Sequence, residues 1–576
     1  MKSTIYFLLA VFMIAPIVAR ANAPQPISHG VVFFCPEKPD AAVAELRRIK
    51  ADGFNLIEFA SWCWTLPAPG SQLEKTAAAV LDWCDANDER FVLMHNIQFG
   101  STGEGGGLED AVIDPLRASH FLTDWMRVLH GHRSAAGVIL GNEVGPATGN
   151  PKDHPKWWAA FTAAMHAKHG TIDALNGAWG THFAGFDALQ PPTADSPGQV
   201  DIADFAATVF DSFYGALLNT VVRPALSPTK TPLMLACKSS GDPLMQRACV
   251  SLNMICWDDM VSDYPQWRLK ALGDIARRTG KPVFNSELHL YHEGYAYIPS
   301  VPKSRYRYLL SALNNEWVTA SFAWAQWNKP DIQAIHSATP GILADLRRLE
   351  SSFRPFNSVE PKLHVLLSPV VAGDDAEAQK LYARMAGIGL AWEYVCPQDL
   401  ASLRDGTLYV PERTRLSPQT ARVLVGLPRK VAVVLAAADC VADAYGRALD
   451  APLLAYVAKR AAPVYGVAGI AVPASERLSP PYSEPADVTY ISWTEKRGHY
   501  GYPMAYPKLE ARQVKTANGR IIAVVNHATS GPAVSARLPW LGKRAIVTEL
   551  TGKGGPVNPS RALSFAPLDV RLFAYR

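Results

Sequence analysis

Residues Gly137 to Gly145 read GVILGNEVG. The apolar run predicts a buried strand, and Asn142 and Glu143 end it just before a glycine and a proline. In barrels of parallel strands, side chains at the carboxyl ends of the strands surround the active site, so Glu143 is a candidate catalytic residue. A structural role, as a helix cap or as the partner of an arginine, would explain a single glutamate here equally well.

Seven other short apolar runs resemble this one and alternate with longer amphipathic segments, which predicts a parallel sheet with crossover helices. Eight such strands in succession predict a (β/α)8 TIM barrel, an α/β fold. The eight predicted strands are 30–35, 55–60, 91–96, 137–143, 232–237, 252–258, 282–287 and 318–324. The interval 153–223, between the fourth and fifth strands, is the longest and predicts an elaborated loop over the barrel mouth.

The barrel is predicted to occupy residues 24–357. A second alternation of strands and helices follows, and it predicts a glutaminase-like or flavodoxin-like α/β domain over 358–475. This segment has no glycine-rich phosphate loop and no nucleophile elbow, so we expect a structural role for it. Residues 476–576 read as strands and turns, with Asn518-Gly519 as a hairpin turn, and predict a small C-terminal antiparallel β domain.

The first 23 residues have the order of a cleavable secretory signal peptide: Lys2, an apolar stretch, then Ala21-Asn22-Ala23. The sequence therefore predicts export to the periplasm or the extracellular space, and a soluble protein after cleavage. The chain has 56 basic and 52 acidic residues without basic runs, so neither nucleic acid nor an anionic membrane is an expected partner. A roughly neutral partner fits this composition.

The eight cysteines form no CxxC pair and show no zinc-type spacing with histidine. Several lie in apolar runs and are expected to be small core residues, although export leaves disulfide pairing open. No metal site and no cofactor are predicted.

A second glutamate ends the seventh predicted strand, where residues 281–287 read KPVFNSE. Glu143 and Glu287 would then project into the same barrel mouth from strands four and seven. Two carboxylates are what glycoside hydrolysis requires, since one attacks the anomeric carbon and the other protonates the leaving oxygen. A separation of about 5 to 5.5 Å between them would make the enzyme retaining.

An Asn-Glu pair ending strand four and a Glu ending strand seven resemble the signature of the retaining (β/α)8-barrel glycosidase clan. Within that clan, the segment HAKHGTIDALNGAWGTHF is similar to a stretch of the glycoside hydrolase family 42 β-galactosidases. The order of the three domains is also similar. The resemblance therefore extends over nearly the whole chain after the signal peptide.

This resemblance implies that Glu143 is the acid/base, that Asn142 holds the sugar 2-hydroxyl and that Glu287 is the nucleophile. It also implies a terminal β-galactoside as substrate and a possible homotrimer. The chain departs from the family by having Val144 where a tyrosine often follows the acid/base, and by lacking a cysteine zinc cluster. These departures bear on the sugar that is recognised more than on the reaction.

Several other residues are predicted to contact a neutral oligosaccharide or β-glycoside. Asn96 after strand three and His289 beyond Glu287 are candidate hydroxyl partners. Aromatic rings can pack on the C–H faces of sugars, although each tryptophan could equally be packing at the barrel rim. The candidates are Trp62, Trp64, Trp257, Trp324 and Trp327, with Trp324 favoured by the resemblance.

Other functions remain open at this point. The barrel could cleave β-mannosides or another plant or algal glycan, or it could be a non-catalytic carbohydrate-binding protein on the same fold. Retention of both glutamates argues against the non-catalytic hypothesis. A metal-dependent hydrolase using His95, His289 and Asp258 is a further alternative, but no motif such as His-Glu-x-x-His supports it.

Overall fold

The structure is a computed structural model that describes residues 27–575 with internal gaps. The gaps are 63–64, 98–114, 145–154, 193–195, 227–232, 240–242, 260–265, 291–299, 323, 325–329, 360, 373–374, 388–390, 437–440, 444, 447–460, 463–488, 496–497, 505–508, 529–530, 537–545, 553 and 559–560. The predicted signal peptide, the predicted boundary at 475/476, Trp64 and Trp327 lie outside the described residues.

Eight parallel strands close into a barrel in sequence order, which confirms the predicted TIM barrel. Each predicted strand forms, with its ends displaced by a few residues. The strands are β1 (Ser28–Phe33), β2 (Leu56–Trp62), β3 (Arg90–Asn96), β4 (Ala135–Val144), β5 (Met234–Ser239), β6 (Ile255–Asp259), β7 (Val283–Leu288) and β8 (Val318–Ser321).

Helices surround the barrel, and local signals define where several of them begin. The second helix begins after Ser71, whose hydroxyl accepts a hydrogen bond from the Glu74 amide, and Ser300 accepts in the same way from the Lys303 amide. The described helices up to the end of the barrel are α1 (Pro39–Ala51), α2 (Gln72–Asn87), α3 (His120–Leu129), α4 (Pro155–His169), α5 (Ile172–Trp179), α6 (Gln199–Leu217), α7 (Arg223–Leu226), α8 (Pro243–Ala248), α9 (Gln266–Thr279), α10 (Val301–Leu313) and α11 (Gln333–Ser358).

The barrel strands alternate between two apolar cores. Residues such as Leu56, Met94 and Phe284 fill the barrel interior, while their neighbours, such as Ile57 and Leu93, pack outward against the helices. This two-residue period determines which side chains near the strand ends can reach the barrel mouth.

The long insertion between β4 and β5 is helical and comprises α4 to α7. The segment Gln199–Leu226 is long and apolar enough to cross a membrane by length and composition, but Phe210, Phe213 and Leu217 are buried in the outer core of the barrel. Asp201 is fully buried and joins the helices, accepting hydrogen bonds from Trp179 (2.7 Å) and Lys168 (2.6 Å). The segment is thus a core helix within this fold.

A second α/β unit begins at Leu363, after α11 ends at Ser358, and its parallel sheet confirms the predicted flavodoxin-like or glutaminase-like architecture. Its sheet has the order β10-β9-β11-β13-β15. The elements are β9 (Leu363–Leu366), α12 (Pro369–Ala372), α13 (Asp375–Gly387), β10 (Trp392–Val395), β11 (Gly406–Val410), β12 (Thr414–Leu416), α14 (Pro418–Gly426), β13 (Val431–Leu435), β14 (Val441–Asp443) and β15 (Ala461–Ala462).

The C-terminal part of the chain is antiparallel, as predicted. The hairpin of β18 and β19 turns between Thr516 and Gly519, and Gly519 has the positive φ of 128° that a glycine adopts readily. The strands are β16 (Thr489–Glu495), β17 (Gly498–Met504), β18 (Glu510–Thr516), β19 (Gly519–Val525), β20 (Val534–Ala536), β21 (Val547–Glu549), β22 (Gly555–Val557), β23 (Leu563–Phe565) and β24 (Val570–Tyr575).

Six cysteines lie within the described residues and all six are free thiols. Five of them, Cys84, Cys237, Cys249, Cys256 and Cys396, are buried among core residues, as the sequence predicts for small apolar side chains. Cys35 is partly exposed.

Candidate active site

The end of β4 breaks away from its neighbour β5 just before the Asn-Glu pair. The register between the two strands shifts between Leu140 and Val144, and Gly141 has a φ of 73°, in the left-handed region that favours glycine. This bulge interrupts the regular two-residue alternation of β4 just before Asn142. The backbone of Glu143 belongs to β4, whereas its side chain lies outside the described part of the structure.

A similar irregularity re-aims the end of β7. Its register shifts against β6 and again against β8, between Asn285 and Leu288. Glu287 lies within this bulge and is buried. Bulges next to active sites commonly direct a side chain that regular alternation would send elsewhere.

Glu287 is held by a residue that sequence analysis missed. The Lys238 ammonium, at the end of β5, donates to Glu287 Oε1 and also to Asn142 Oδ1 at 2.6 Å. On the other side of the carboxylate, His289 Nε2 lies 3.1 Å from Oε2. Asn142, Glu287 and His289, predicted separately from the sequence, are therefore brought together by Lys238 and its ion pair.

The charges in this network determine the protonation of Glu287. Burial by itself would raise its pKa, but the positive charge of Lys238 and the hydrogen bond from His289 lower the pKa to about 2. Burial likewise opposes the charged form of Lys238, yet the neighbouring carboxyl groups, Glu287 first among them, raise its pKa. Glu287 is thus a carboxylate and Lys238 an ammonium at neutral pH.

Glu58 on β2 is a second residue that sequence analysis did not identify. It is fully buried, and neither carboxyl oxygen has a hydrogen-bond partner among the described residues. Burial raises the pKa of Glu58 well above its ordinary value, and the attraction of Lys238 offsets this only in part.

The sequence pattern around Lys238 and Glu58 could have indicated both residues. Lys238 follows Met234 and Ala236 at two-residue spacing on the inward face of β5, and Glu58 follows Leu56 in the same way on β2. A charged residue at an inward position of an apolar strand is costly unless it is paired, so such a position indicates a functional or ion-paired site. The Gln246 amide donates to the carbonyls of Cys237 in β5 and Cys256 in β6, and so links these two strands.

Asn96 lies where the sequence predicted it, at the inward end of β3. Its register partner on β2 is Trp62, and Asn96 Oδ1 is buried without a hydrogen-bond partner in the described part of the chain. Trp62 is 37% exposed. Both residues continue the inward positions of their strands and therefore lie at the barrel mouth.

Trp257 and Trp324 are placed away from the mouth. Trp257 is 1% exposed in the outer core, because its neighbours Cys256 and Asp258 take the inward positions of β6. Its indole donates to Glu316 at 2.8 Å. Trp324 is 3% exposed and donates to Glu45 of α1. Neither indole offers a free face to a sugar in this structure.

Other aromatic rings occupy the mouth instead. Phe322, just beyond β8, packs against the interior core of the barrel and stacks on His289 with ring centroids 4.5 Å apart. Phe34, just beyond β1, is 40% exposed and meets the edge of Phe322. An apolar surface thus runs from the partner of Glu287 to the rim of the barrel.

The residues of the metal hypothesis do not converge. His95 faces outward, where its ring contacts Trp125 and its Nδ1 lies 3.3 Å from the Ser61 hydroxyl. Burial lowers the pKa of His95 to about 4. Within the described ranges, no group of three His, Cys, Asp or Glu residues is arranged to hold a metal ion.

These features define a class: a three-part α/β protein built on a TIM barrel, with an ionised glutamate at the tip of strand seven. No protein-family model matches the sequence, and no curated protein matches it at a significant level. Solved structures do match the fold, and those with similar folds include two members of glycoside hydrolase family 42.

A β-galactosidase from the psychrophilic Marinomonas ef1 superposes with a TM-score of 0.62 at 13% identity, covering 95% of this chain and 100% of the other. The exo-carrageenase GH42 from Bacteroides ovatus gives 0.61 at 14% identity, covering 96% and 83%. A catalytic mutant of a GH42 β-galactosidase from G. stearothermophilus gives 0.61 at 12%, covering 96% and 99%. The predicted likeness to family 42 is therefore confirmed at the level of the fold.

Proposed function

We propose that this protein is an exported retaining glycoside hydrolase that cleaves terminal β-linked neutral sugars, with β-galactosides as the first candidates. The observation that carries the proposal is the buried, ionised Glu287 at the end of β7, joined through Lys238 to Asn142 at the end of β4. The family 42 fold along nearly the whole chain supports the same reaction class.

The proposed reaction is a double displacement. In the first step, a Glu287 oxygen attacks the anomeric carbon while the bond to the leaving oxygen breaks and Glu143 gives that oxygen its proton. In the second step, Glu143 takes a proton from water, the hydroxyl attacks the anomeric carbon, and the ester bond to Glu287 breaks. Atoms and charges balance over the two steps, and the product keeps the β configuration.

The proposed substrate contacts combine polar and apolar groups. Asn142, Asn96 and His289 offer hydrogen bonds to hydroxyls, and His289 already binds Glu287. The rings of Phe322 and Phe34 are proposed to take the packing role that the sequence assigned to Trp324. Such a surface fits a neutral sugar with an exposed C–H face.

A panel of fluorogenic β-galactoside, β-glucoside, β-mannoside and α-arabinoside substrates tests this proposal. We expect hydrolysis of at least one member, with the sugar first released in the anomeric configuration of the substrate in a proton NMR time course. Glu287→Gln should abolish turnover, while the control Glu377→Gln, in an exposed ion pair with Lys380, should not. Inactivity of the wild type on every substrate, or an active Glu287→Gln variant, would refute the proposal.

The same panel separates the alternatives. Preference for the mannoside would establish the β-mannosidase alternative, and sugar binding without turnover would establish the carbohydrate-binding alternative. We also propose that residues 1–23 direct export, which N-terminal sequencing of the secreted protein tests by locating the first mature residue. Mass photometry of that protein tests the proposed homotrimer.

A further inference from the structure

We propose that Lys238 is a positioning residue that keeps the proposed nucleophile Glu287 ionised and aimed at the anomeric carbon. This inference rests on the proposed function. It concerns a residue that neither the sequence motifs nor the fold comparisons point to.

Hydrogen bonds fix the position of the Glu287 carboxylate. Lys238 binds one oxygen of Glu287 and His289 binds the other, so the carboxylate is held in place on both sides. Lys238 is itself anchored, because its ammonium also donates to Asn142 at 2.6 Å. One ammonium thus links the ends of β4, β5 and β7, and a fixed nucleophile is already oriented before the substrate arrives.

The positive charge of Lys238 also favours the ionised form of Glu287. Three carboxyl groups, Glu58, Asp258 and Glu287, lie close enough to Lys238 to raise its pKa, and all four residues are buried. Of the groups acting on Glu287, Lys238 supplies the largest attraction, and His289 adds a hydrogen bond. Without the ammonium, Glu287 would face other buried carboxyl groups and would take up a proton, and a neutral carboxylic acid is a poor nucleophile.

The reaction uses the same positive charge twice. In the first step it holds the carboxylate free of a proton, so that an oxygen lone pair is available for attack. In the second step the bond between Glu287 and the anomeric carbon breaks, and the electron pair returns to a carboxylate that Lys238 stabilises. Lys238 takes no proton in either step and touches the nucleophile rather than the sugar.

The test compares Lys238→Met with wild type by measuring kcat/KM across the pH range in which circular dichroism shows both to be folded. In the wild type, Glu287 stays ionised through the mildly acidic range. The acidic limb of the kcat/KM profile is the range in which activity falls because Glu287 takes up a proton. In Lys238→Met, we expect the midpoint of this limb to move above pH 4.5, the ordinary pKa of a glutamate. The loss of kcat/KM should therefore be greater at pH 4 than at pH 7.

Lys270→Met is the matched control, because Lys270 is also a buried lysine, paired with Asp274 at 2.6 Å beside the second α/β unit. It should leave the acidic limb in place. Ethylammonium added to Lys238→Ala should restore part of the activity and move the limb back. Lys238→Arg, which keeps the charge, should retain the wild-type limb with a reduced kcat, and it serves as the folded variant if Lys238→Met does not fold.

An unchanged acidic limb in Lys238→Met, or an equal shift in Lys270→Met, would overturn the inference. So would a Lys238→Arg variant whose limb moves as far as that of Lys238→Met. Glu287→Gln, assayed in parallel, separates the two proposals. If that variant is inactive while the pH profile of Lys238→Met matches wild type, the nucleophile assignment stands and only the role of Lys238 fails.

Discussion

The indole nitrogen of Trp324 donates a hydrogen bond to Glu45 Oε2 at 2.7 Å, which joins the segment after β8 to helix α1. The guanidinium of Arg48 lies 5.7 Å from the centre of the same ring. This tryptophan therefore stabilises the contact between the end of the barrel and its first helix. The ring that stacks on His289, the partner of Glu287, belongs to Phe322.

This difference predicts separable effects for the two aromatic residues. Trp324→Phe should lower the free energy of unfolding by about 1 kcal/mol, since one hydrogen bond is lost, and should leave KM near the wild-type value. Phe322→Ala should raise KM about tenfold, which corresponds to about 1.4 kcal/mol of substrate binding. Steady-state kinetics and urea unfolding of both variants check this. A larger increase in KM for Trp324→Phe than for Phe322→Ala would show that Trp324 is the ring that packs on the sugar.

The raised pKa of Glu58 should make the stability of the folded protein depend on pH. Its pKa is raised in the folded protein, so its contribution to stability is fully present below the ordinary glutamate pKa of 4.5 and is lost as the pH rises toward the folded-state value. Glu58→Gln keeps the shape without the ionisation. The melting temperature of Glu58→Gln, relative to that of wild type, should therefore rise as the pH increases above 4.5.

Thermal unfolding at several pH values measures this difference. Glu377→Gln is a suitable control, because its carboxylate is exposed and its removal should give a difference that stays flat with pH. A melting temperature of Glu58→Gln that falls relative to wild type as the pH rises would contradict a raised pKa for Glu58.

Glu510 predicts a large loss of stability on substitution. Its buried carboxylate accepts hydrogen bonds from Tyr382 of the second α/β unit (2.6 Å) and from Arg512 (2.5 Å), and it lies 2.7 Å from His527, which in turn contacts Tyr306 of the barrel helix α10. The three parts of the chain thus meet at one side chain. Removing one partner of a buried ion pair typically costs about 3 to 5 kcal/mol.

Glu510→Gln should therefore lower the urea midpoint strongly, whereas an exposed pair such as Glu377 with Lys380 should contribute only about 0 to 1 kcal/mol. The positive charge of Arg512 and the contact with His527 hold the pKa of Glu510 far below its ordinary value despite burial. Its contribution is present above pH 4.5 and is lost as the pH falls. A Glu510→Gln variant as stable as wild type at pH 7 would show that the three parts do not depend on this contact.

Glu143 predicts a dependence on the leaving group. Glu143 is the proposed general acid. Glu143→Gln should therefore reduce kcat/KM by about 10² to 10⁴-fold for phenyl glycosides, whose leaving oxygen needs a proton. Dinitrophenyl glycosides should lose much less in that step, because their phenolate leaves without one. Azide should restore turnover and yield a glycosyl azide of the β configuration. Equal losses for both leaving groups would exclude Glu143 as the acid.

Much of the architecture was predictable from local patterns. Eight apolar runs separated by amphipathic segments specify a parallel barrel, because each strand must bury both of its faces and each helix one apolar face. The Asn518-Gly519 turn likewise specifies a hairpin. The positions of Glu143 and Glu287 at strand tips follow from counting strands, and so do Asn142 and Asn96.

The orientation of side chains at those tips was less predictable. Trp257 follows the two-residue alternation of β6. Its neighbours Cys256 and Asp258 face inward, so Trp257 faces outward. Trp324 lies beyond the last residue of β8, where alternation no longer applies. Its partner Glu45 is 279 residues away in the sequence, so no local pattern could reveal the contact.

The sequence by itself determined the barrel, the order of the three parts and the two strand tips that carry glutamate, because hydrophobic periodicity and turn residues act locally. Only the tertiary structure decided the environment of Glu287. The bulges in β4 and β7 change which way the tips point, and Lys238, Asn142 and His289 meet there from separate parts of the chain. A buried charge depends on every group around it, so its state is a property of the folded barrel.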